Sequence, residues 1–250
     1  MSAGIRKAPA RRKIRRRQTG EKMDQIRVIE IRQSVFADND RDADRLRDTL
    51  REKGVYLLNL MSSPGSGKTT TLTKLIPLLR KKWRVGVMEA DIDGDVDART
   101  VALTGAKSIQ LHTGGMCHLD ADMTRQGLNE LGTDDLDLVI LENVGNLVCP
   151  AEFDTGAVNS IMILSVPEGD DKPLKYPLIF TVCDAVLINK TDVLPYFDFD
   201  MEKCRAAVEA RHPGAPLFPV CARTGEGIEA VADWISDRVA RWNEDGTRLH

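Results

Sequence analysis

The chain has 250 residues, of which 29% are charged and 42% hydrophobic, and its formal net charge is −3. This length suits one α/β domain with an N-terminal extension. No apolar stretch approaches the roughly 18 residues of a transmembrane helix, and no apolar run follows the N-terminal arginines, so we expect a cytoplasmic protein without membrane attachment. The cysteines are odd in number and far apart, which argues against a disulfide framework and favours a reducing compartment.

The N-terminal segment differs sharply in charge from the rest of the chain. Residues 1–20 contain eight basic residues and no acidic one, so the remainder is acidic, which argues against broad nucleic-acid binding. We predict a basic, disordered tail over residues 1–35 and a folded domain over residues 36–250. A solvated tail and a contact with RNA or an acidic partner are both open for this segment.

Helical and strand patterns alternate along the chain. An amphipathic helix over Arg41–Lys53 ends at Gly54, and a strand over Val55–Met61 follows it. The later predicted strands are Trp83–Met88, Ile109–Leu111, Leu136–Leu141, Ile161–Val166, Ala185–Ile188 and Leu217–Cys221. The later predicted helices are Lys68–Lys81, with Pro77 as a kink or early end, Leu119–Leu131, Met201–Arg211 and Ile228–Trp242. This alternation predicts an α/β fold, with a mostly parallel sheet covered by helices on both faces.

The segment Ser62–Thr69 has the P-loop pattern except that Ser62 stands in place of the first glycine. It lies between a predicted strand and a predicted helix, as a P-loop does. Gly65 and Gly67 allow the backbone to curl around a phosphate chain, and Lys68 can reach the terminal phosphates. The residues predicted to contact the nucleotide phosphates are Gly65, Ser66, Gly67, Lys68, Thr69 and Thr70.

A second nucleotide signal, Asn189-Lys190-Thr191-Asp192, directly follows a predicted strand. A carboxylate at Asp192 can accept hydrogen bonds from guanine N1–H and the exocyclic amine, a donor pair that adenine lacks. Asn189 is expected to brace the loop and Lys190 to lie over the base. Ala222 is expected to make backbone contacts near the base, because Cys221 and Arg223 replace the usual neighbours. GTP and GDP are therefore the predicted nucleotides.

The predicted catalytic residues are Lys68, Asp91 and Glu142. Phosphoryl transfer depends mainly on positioning and charge neutralisation, so Thr69, Asp91 and Glu142 are the predicted Mg²⁺ ligands. Glu142 begins a Glu-x-x-Gly element whose Gly145 can offer its N–H to the γ-phosphate. No glutamine or arginine stands beside these elements to orient water, so slow hydrolysis of GTP to GDP and phosphate is expected.

Cys117, His118 and Cys149 form a possible metal site, because thiolate and imidazole donors suit Ni²⁺, Zn²⁺ or Cu. Three ligands on one chain leave such a site incomplete, and a two-fold dimer would complete it. Two buried cysteines and a capping or core histidine explain the same residues equally well.

Several strings together resemble the hydrogenase nickel-incorporation GTPases, the HypB family, over roughly residues 36–245. They are LNLMSSPGSGKTT, GGMCHLDADM, LENVGNLVCPAEFD, SVPEGDDKPLKYP and INKTD. The resemblance implies a SIMIBI-class GTPase that assists nickel insertion into [NiFe] hydrogenase, with Ni²⁺ or Zn²⁺ on Cys117, His118 and Cys149. It also implies a homodimer on GTP binding, a small zinc-containing nickel chaperone of the HypA type as partner, and an indirect partner in the hydrogenase large subunit.

The sequence departs from some members of that family at its N-terminus. Residues 1–54 contain no Cys or His, so a tight N-terminal nickel site and a His-rich nickel store are not expected. The alternatives are a related urease-type nickel-insertion GTPase, whose metal motif is Cys-Pro-His, a regulatory GTPase with a structural Cys/His cluster, and a passive metal-storage protein. Because Cys149 lies four residues after Gly145, we also expect the nucleotide state to affect the metal site.

Overall fold

A computed structural model describes residues 27–30, 39–91 and 100–247. Of Asp91 it describes the backbone but not the side chain, and the same holds for residues 27–30 and 245–247. The predictions made for most of the basic tail therefore lie outside the described residues.

The described residues build one eight-stranded sheet in which neighbouring strands run parallel. The strands are β1 (Arg27–Glu30), β2 (Tyr56–Ser62), β3 (Val85–Asp91), β4 (Lys107–His112), β5 (Leu138–Glu142), β6 (Asn159–Ser165), β7 (Ala185–Asn189) and β8 (Leu217–Pro219). Their order across the sheet is β1-β4-β3-β5-β2-β6-β7-β8. Because the strands are parallel, their carboxyl ends meet at one edge of the sheet, where α/β proteins bind ligands.

The helices are α1 (Asn39–Glu52), α2 (Lys68–Leu79), α3 (Ala121–Leu131), α4 (Cys149–Glu152), α5 (Lys172–Lys175), α6 (Pro177–Val182), α7 (Met201–Glu209) and α8 (Ile228–Thr247). Short 3₁₀ helices span Val166–Glu168 and Thr191–Tyr196. Every residue of β2, β5 and β7 is buried, so both faces of the central sheet are covered, as the alternating pattern predicts. No helix in the described ranges is long and apolar enough to cross a membrane.

The helix that follows the P-loop is fixed by its apolar face. Leu72, Leu75, Ile76 and Leu79 of α2 are fully buried and α2 packs against α8. Burying a leucine or isoleucine side chain contributes roughly 1.5–3 kcal/mol, so this packing holds the N-terminus of α2 at the sheet edge. The helix continues past Pro77 and ends at Leu79, two residues before the predicted Lys81.

Some predicted boundaries are wrong. The strand Arg27–Glu30 lies inside the range 1–35 that we predicted as a tail, and it pairs with β4. The strand β3 begins at Val85 rather than Trp83, because Asp137 already binds the Arg84 backbone through its side chain.

At the other end of the sheet, β8 ends at Pro219 rather than Cys221, and Cys221 forms an isolated antiparallel bridge with Glu226. The short helices α4, α5 and α6 were not predicted, because segments of four to six residues carry too little periodicity.

Candidate nucleotide and metal site

The P-loop adopts the curled backbone that its glycines predict. Gly65 and Gly67 have φ values of 74° and 99°, in the left-handed region that favours glycine. A Cβ atom at Gly67 would lie 2.5 Å from Asn189 Nδ2, so no larger residue fits there. Lys68 Nζ donates to Ser62 Oγ over 2.9 Å. The serine that replaces the usual first glycine therefore holds the P-loop lysine.

One hydroxyl of this loop is available to a ligand. Ser66 Oγ is buried and has no hydrogen-bond partner among the residues that the structure describes. A buried hydroxyl without a partner is costly, and a phosphate oxygen would satisfy it. Thr69 and Thr70 follow in the first turn of α2, where the helix dipole also favours a phosphate.

The Asn-Lys-x-Asp loop packs directly against the P-loop. Asn189 Nδ2 donates to the Ser66 carbonyl over 2.9 Å, which is the bracing contact expected of Asn189. The side-chain oxygen Oδ1 of Asn189 accepts from the backbone N–H groups of Lys190 and Ala222, at 2.8 and 3.0 Å. Lys190 Nζ reaches the Gly65 carbonyl over 2.7 Å. One asparagine thus joins three loops before any nucleotide binds.

Asp192, the predicted guanine reader, is held by two neighbours from the loop after β8. Cys221 Sγ donates to its Oδ1 over 3.2 Å, and Arg223 donates to its Oδ2 through Nε at 3.2 Å and Nη2 at 2.9 Å. The Cys221 hydrogen bond and the Arg223 guanidinium lower the pKa of Asp192, so the carboxylate is ionised and able to accept guanine donors.

The predicted magnesium side of the site lies at the ends of β3 and β5. Glu142 is the last residue of β5 and its register partner on β3 is Glu89; both are buried. Asp91 ends β3, and its side chain lies outside the described residues. A Cβ atom at Gly145 would lie 3.1 Å from Pro64 N and 3.2 Å from Lys68 Nζ. The loop after β5 therefore touches the P-loop.

A buried amide pair supports the start of that loop. Asn143 Nδ2 donates to Asn59 Oδ1 over 3.2 Å, and Asn59 Nδ2 donates to Ser160 Oγ over 3.3 Å. Asn143 Oδ1 accepts from the backbone of Val144 at 2.9 Å. This chain of hydrogen bonds runs across β5, β2 and β6 and positions the residues between Glu142 and Gly145.

The fold brings Cys117 and Cys149 together although they are far apart in sequence. Their sulfur atoms are 2.8 Å apart, and both residues are half-buried free thiols. Asn146 Oδ1 accepts from the backbone N–H groups of Val148 and Cys149, and its Nδ2 lies 3.6 Å from Cys149 Sγ. The hydrogen bond from Cys117 and burial raise the pKa of Cys149.

His118 lies beside this cysteine pair in an aromatic environment. Its ring stacks on Phe153 with a centroid distance of 3.6 Å and an interplanar angle of 11°. Its Nδ1 is 3.9 Å from Cys117 Sγ, and its Nε2 is buried without a hydrogen-bond partner among the described residues. Burial lowers the pKa of His118, although the charges of Asp120 and Glu152 act to raise it. The lowered pKa favours the neutral imidazole that a metal requires.

The donor set suits a soft or borderline metal but does not form a complete site. Zn–S bonds are about 2.3 Å long, so two thiolates on one tetrahedral metal are separated by about 3.8 Å. The observed 2.8 Å between Cys117 and Cys149 therefore has to widen by roughly 1 Å on metal binding. Within the described ranges, no group of three or more His, Cys, Asp or Glu side chains is arranged to hold a metal.

Sequence reasoning missed several residues of this site. Phe153, Asn146 and Asn59 carry no motif signal of their own, and the contacts of Arg223 with Asp192 require the folded loop. Asn59 and Phe153 do lie within the strings LNLMSSPGSGKTT and LENVGNLVCPAEFD, so their proximity to the motifs was the available signal.

A parallel sheet with a P-loop and an Asn-Lys-x-Asp loop at its carboxyl edge defines a P-loop nucleotide-binding protein. A family model described as "CobW/HypB/UreG, nucleotide-binding domain" matches residues 56–219. The hydrogenase maturation factor HypB of Azotobacter chroococcum is 46% identical over 213 residues, which are 85% of this chain and 70% of that protein.

Two solved structures are also similar. HypB from Helicobacter pylori in complex with nickel matches with a TM-score of 0.76 and 37% identity, over 82% of this chain and 96% of that one. HypB from Archaeoglobus fulgidus matches with a TM-score of 0.76 and 36% identity, over 82% of this chain and 100% of that one. The chain belongs to the HypB hydrogenase maturation factors of the CobW/HypB/UreG family.

Proposed function

We propose that this protein binds and hydrolyses GTP and uses that cycle to assist the insertion of nickel into [NiFe] hydrogenase. The observation that carries the proposal is the thiol pair Cys117–Cys149, 2.8 Å apart, at the sheet edge that also holds the P-loop. Its membership of the HypB family and the nickel complex of the Helicobacter pylori relative support the same function.

The nucleotide roles follow from the charges and donors at the P-loop. Lys68 would neutralise the terminal phosphates, and Asp192 would accept from guanine. Thr69, Asp91 and Glu142 would hold Mg²⁺, which supplies positive charge at the γ-phosphate when it is bound. The Ser66 hydroxyl is buried and has no hydrogen-bond partner in the part of the chain that the structure describes, which supports a phosphate position within the loop.

The metal roles follow from thiol chemistry. Cys117 and Cys149 would each lose a proton as nickel or zinc binds, and neutral His118 would donate through Nδ1 after a small rotation. Nickel is the cargo in this cycle, and zinc competes for the same donors. Because these three donors leave a tetrahedral metal one ligand short, a GTP-dependent homodimer would complete the coordination.

The partners of the proposed cycle are two other proteins of hydrogenase maturation. A small zinc-containing nickel chaperone of the HypA type would supply the metal, and the hydrogenase large subunit would receive it indirectly. Cys149 follows the loop that touches the P-loop through Gly145, so loss of the γ-phosphate would displace a metal ligand. Nucleotide hydrolysis would then control metal release.

The test is a nickel and zinc titration of the apo, GDP-bound and GTP-analogue-bound protein, with molecular mass recorded in parallel. We expect stoichiometric metal uptake, a dimer with the GTP analogue, and different metal affinities in the GDP and GTP forms. Equal affinities would contradict the coupling. Absence of stoichiometric uptake would favour a regulatory GTPase with a structural cluster. Metal affinity that is the same in every nucleotide state and indifferent to Lys68→Ala and Asp192→Asn would favour passive storage.

A further inference from the structure

Asp192, the residue proposed to read guanine, already has an arginine partner within the chain. Arg223 presents two N–H groups to Asp192 Oδ2, from Nε at 3.2 Å and Nη2 at 2.9 Å. Within the described residues, Arg223 has no other hydrogen-bond partner, and its side chain is 75% exposed. The arginine is therefore held at the site by Asp192 alone.

The chemistry of this contact resembles that of the ligand. An Asp carboxylate reads guanine through N1–H and the exocyclic N–H, whose nitrogens are both bonded to C2. Together with N3, these atoms form a cyclic guanidine. The Nε–H and Nη2–H edge of Arg223 is a similar pair of adjacent guanidine donors, and both of them reach Oδ2 of the same carboxylate. We infer that Arg223 is an internal competitor for guanine, occupying Asp192 when the base is absent and leaving when GTP or GDP binds.

The two neighbours of Asp192 differ in their freedom to move. Cys221 is 1% exposed, and its backbone N–H is bonded to the Glu226 carbonyl, so its contact with Oδ1 stays in place. Arg223 lies on the exposed turn between Cys221 and Glu226. Among the described residues, Asp192 is the partner of its side chain. Cys221 is thus a fixed positioning partner, and Arg223 is the exchangeable one.

This exchange has two consequences for the proposed GTP cycle, on which the inference rests. Arg223 keeps the Asp192 carboxylate oriented between cycles, and the Cys221 hydrogen bond together with the Arg223 guanidinium lowers the pKa of Asp192. It also competes with the base, which weakens guanine-nucleotide binding and speeds GDP release. An exposed ion pair of this kind changes an equilibrium by only about twofold to fivefold.

The test compares GDP and GTP-analogue affinities and GDP dissociation rates of the full chain with those of Arg223→Ala. We expect binding to tighten and GDP dissociation to slow by about twofold to fivefold. Arg223→Lys keeps the charge but loses the fork of donors, so it should lie between the two. Arg205→Ala serves as the charge control, because it removes an exposed arginine that lies on α7. It should change neither the affinities nor the dissociation rate.

A second arm isolates the contact with Asp192. Asp192→Asn offers an amide donor that suits the C2 carbonyl of xanthine, so this variant is titrated with xanthosine diphosphate. Without a carboxylate at this position, adding Arg223→Ala should leave the affinity for xanthosine diphosphate unchanged. If Arg223→Ala raises the affinity of Asp192→Asn for xanthosine diphosphate as much as it raises the affinity of the wild type for GDP, Arg223 does not compete with guanine for Asp192.

The outcomes separate this inference from the proposed function. Unchanged or weaker GDP binding by Arg223→Ala overturns the inference. This comparison with the wild-type protein is decisive even if the double variant does not bind xanthosine diphosphate. Failure of the wild-type protein to prefer GDP over ADP would instead overturn the role of Asp192. Melting temperatures of all variants are recorded, since exposed Arg223 should contribute little to folding.

Discussion

The nucleotide site and the cysteine pair lie at the same edge of the sheet but differ in how far they are formed. Asn189, Lys190 and Lys68 each make hydrogen bonds to loop groups that hold them in place without a ligand. Cys117 and Cys149 instead contact each other, and their sulfurs are closer than a shared metal allows.

The two sites should therefore respond differently to each other's ligands. A site whose side chains are fixed by backbone contacts binds its ligand with little rearrangement. A pair that has to widen by about 1 Å is sensitive to any movement of the loop that carries it. We therefore expect nucleotide binding to be largely independent of the cysteines, and metal binding to depend on the nucleotide.

The largest expected effect comes from removing the P-loop lysine. Lys68→Ala should lower the GTP hydrolysis rate by about 10²–10³-fold, because a preorganised charge at the transferred phosphate is lost. Metal stoichiometry should stay unchanged, since Lys68 contacts Ser62 and not the cysteines. Hydrolysis rates and bound nickel are measured on the same preparation.

The matched control is Lys74→Ala, an exposed lysine on the same helix. It should retain full hydrolysis and full metal binding. A loss of bound metal from nucleotide-free Lys68→Ala, but not from Lys74→Ala, would show that Lys68 supports the metal site directly, which its contact with Ser62 does not predict.

The next largest effect concerns the thiol pair. Cys117→Ser and Cys149→Ser should each lower nickel affinity by at least about 10²-fold, because a soft thiolate is replaced by a hydroxyl that stays protonated. GDP affinity should change by less than about twofold, since the contacts of the two thiols among the described residues are with each other, His118 and Asn146. Metal titration and nucleotide titration of each variant check both halves of this prediction.

Cys204→Ala is the control for thiol loss. Cys204 is fully buried in α7, and burial raises its pKa to about 12, so it remains a thiol at neutral pH. This variant should keep wild-type nickel stoichiometry despite a lower stability. Equal loss of metal in Cys204→Ala would mean that the loss follows from removing any cysteine, and the assignment of Cys117 and Cys149 as metal ligands would fail.

The sequence predicted most of the nucleotide end of the molecule. The order of strand, loop and helix around Lys68 is local, so a pattern of eight residues carries it. Asn189 was expected to brace the loop for the same reason, since its motif fixes one asparagine after a strand. The exchange of partners at Asp192 was not predictable, because Arg223 reaches it from a loop 31 residues later in the chain.

The metal end was predictable only as residue types. The spacing left open whether Cys117 and Cys149 meet, since they lie 32 positions apart in the chain with α3 and β5 between them. Parallel pairing of β3 with both β4 and β5 brings their loops together, and this pairing follows from the whole sheet. The stacking of His118 on Phe153 gave no periodic signal, so nothing in the sequence indicated it.

A smaller effect tests the hydrogen bonds between the two sites. Asn59→Ala should lower the free energy of unfolding by about 1–3 kcal/mol, because the buried amide donor of Asn143 loses its acceptor. It should also reduce the difference in nickel affinity between the GDP and GTP forms, since Asn143 begins the loop that carries Cys149. Urea unfolding and nucleotide-dependent metal titration measure the two changes.

Ser160→Ala is the control, because it removes the partner of Asn59 on the side away from that loop. It should cost about 0.5–1.5 kcal/mol and leave the nucleotide dependence of nickel affinity intact. If both variants reduce this dependence equally, the effect follows from stability alone and the amide pair has no part in coupling the sites.

The smallest effect concerns the aromatic support of His118. Phe153→Leu keeps an apolar side chain of similar size but removes the flat surface that holds the imidazole at 3.6 Å. We expect nickel affinity to fall by about tenfold, the lower end of the range for residues that orient a ligand rather than bind the metal. In His118→Ala, which has no imidazole to orient, Phe153→Leu should add no further loss. An equal loss in both backgrounds would mean that Phe153 acts on the cysteine loop instead, and the metal end would then depend on packing around Cys149 rather than on the orientation of His118.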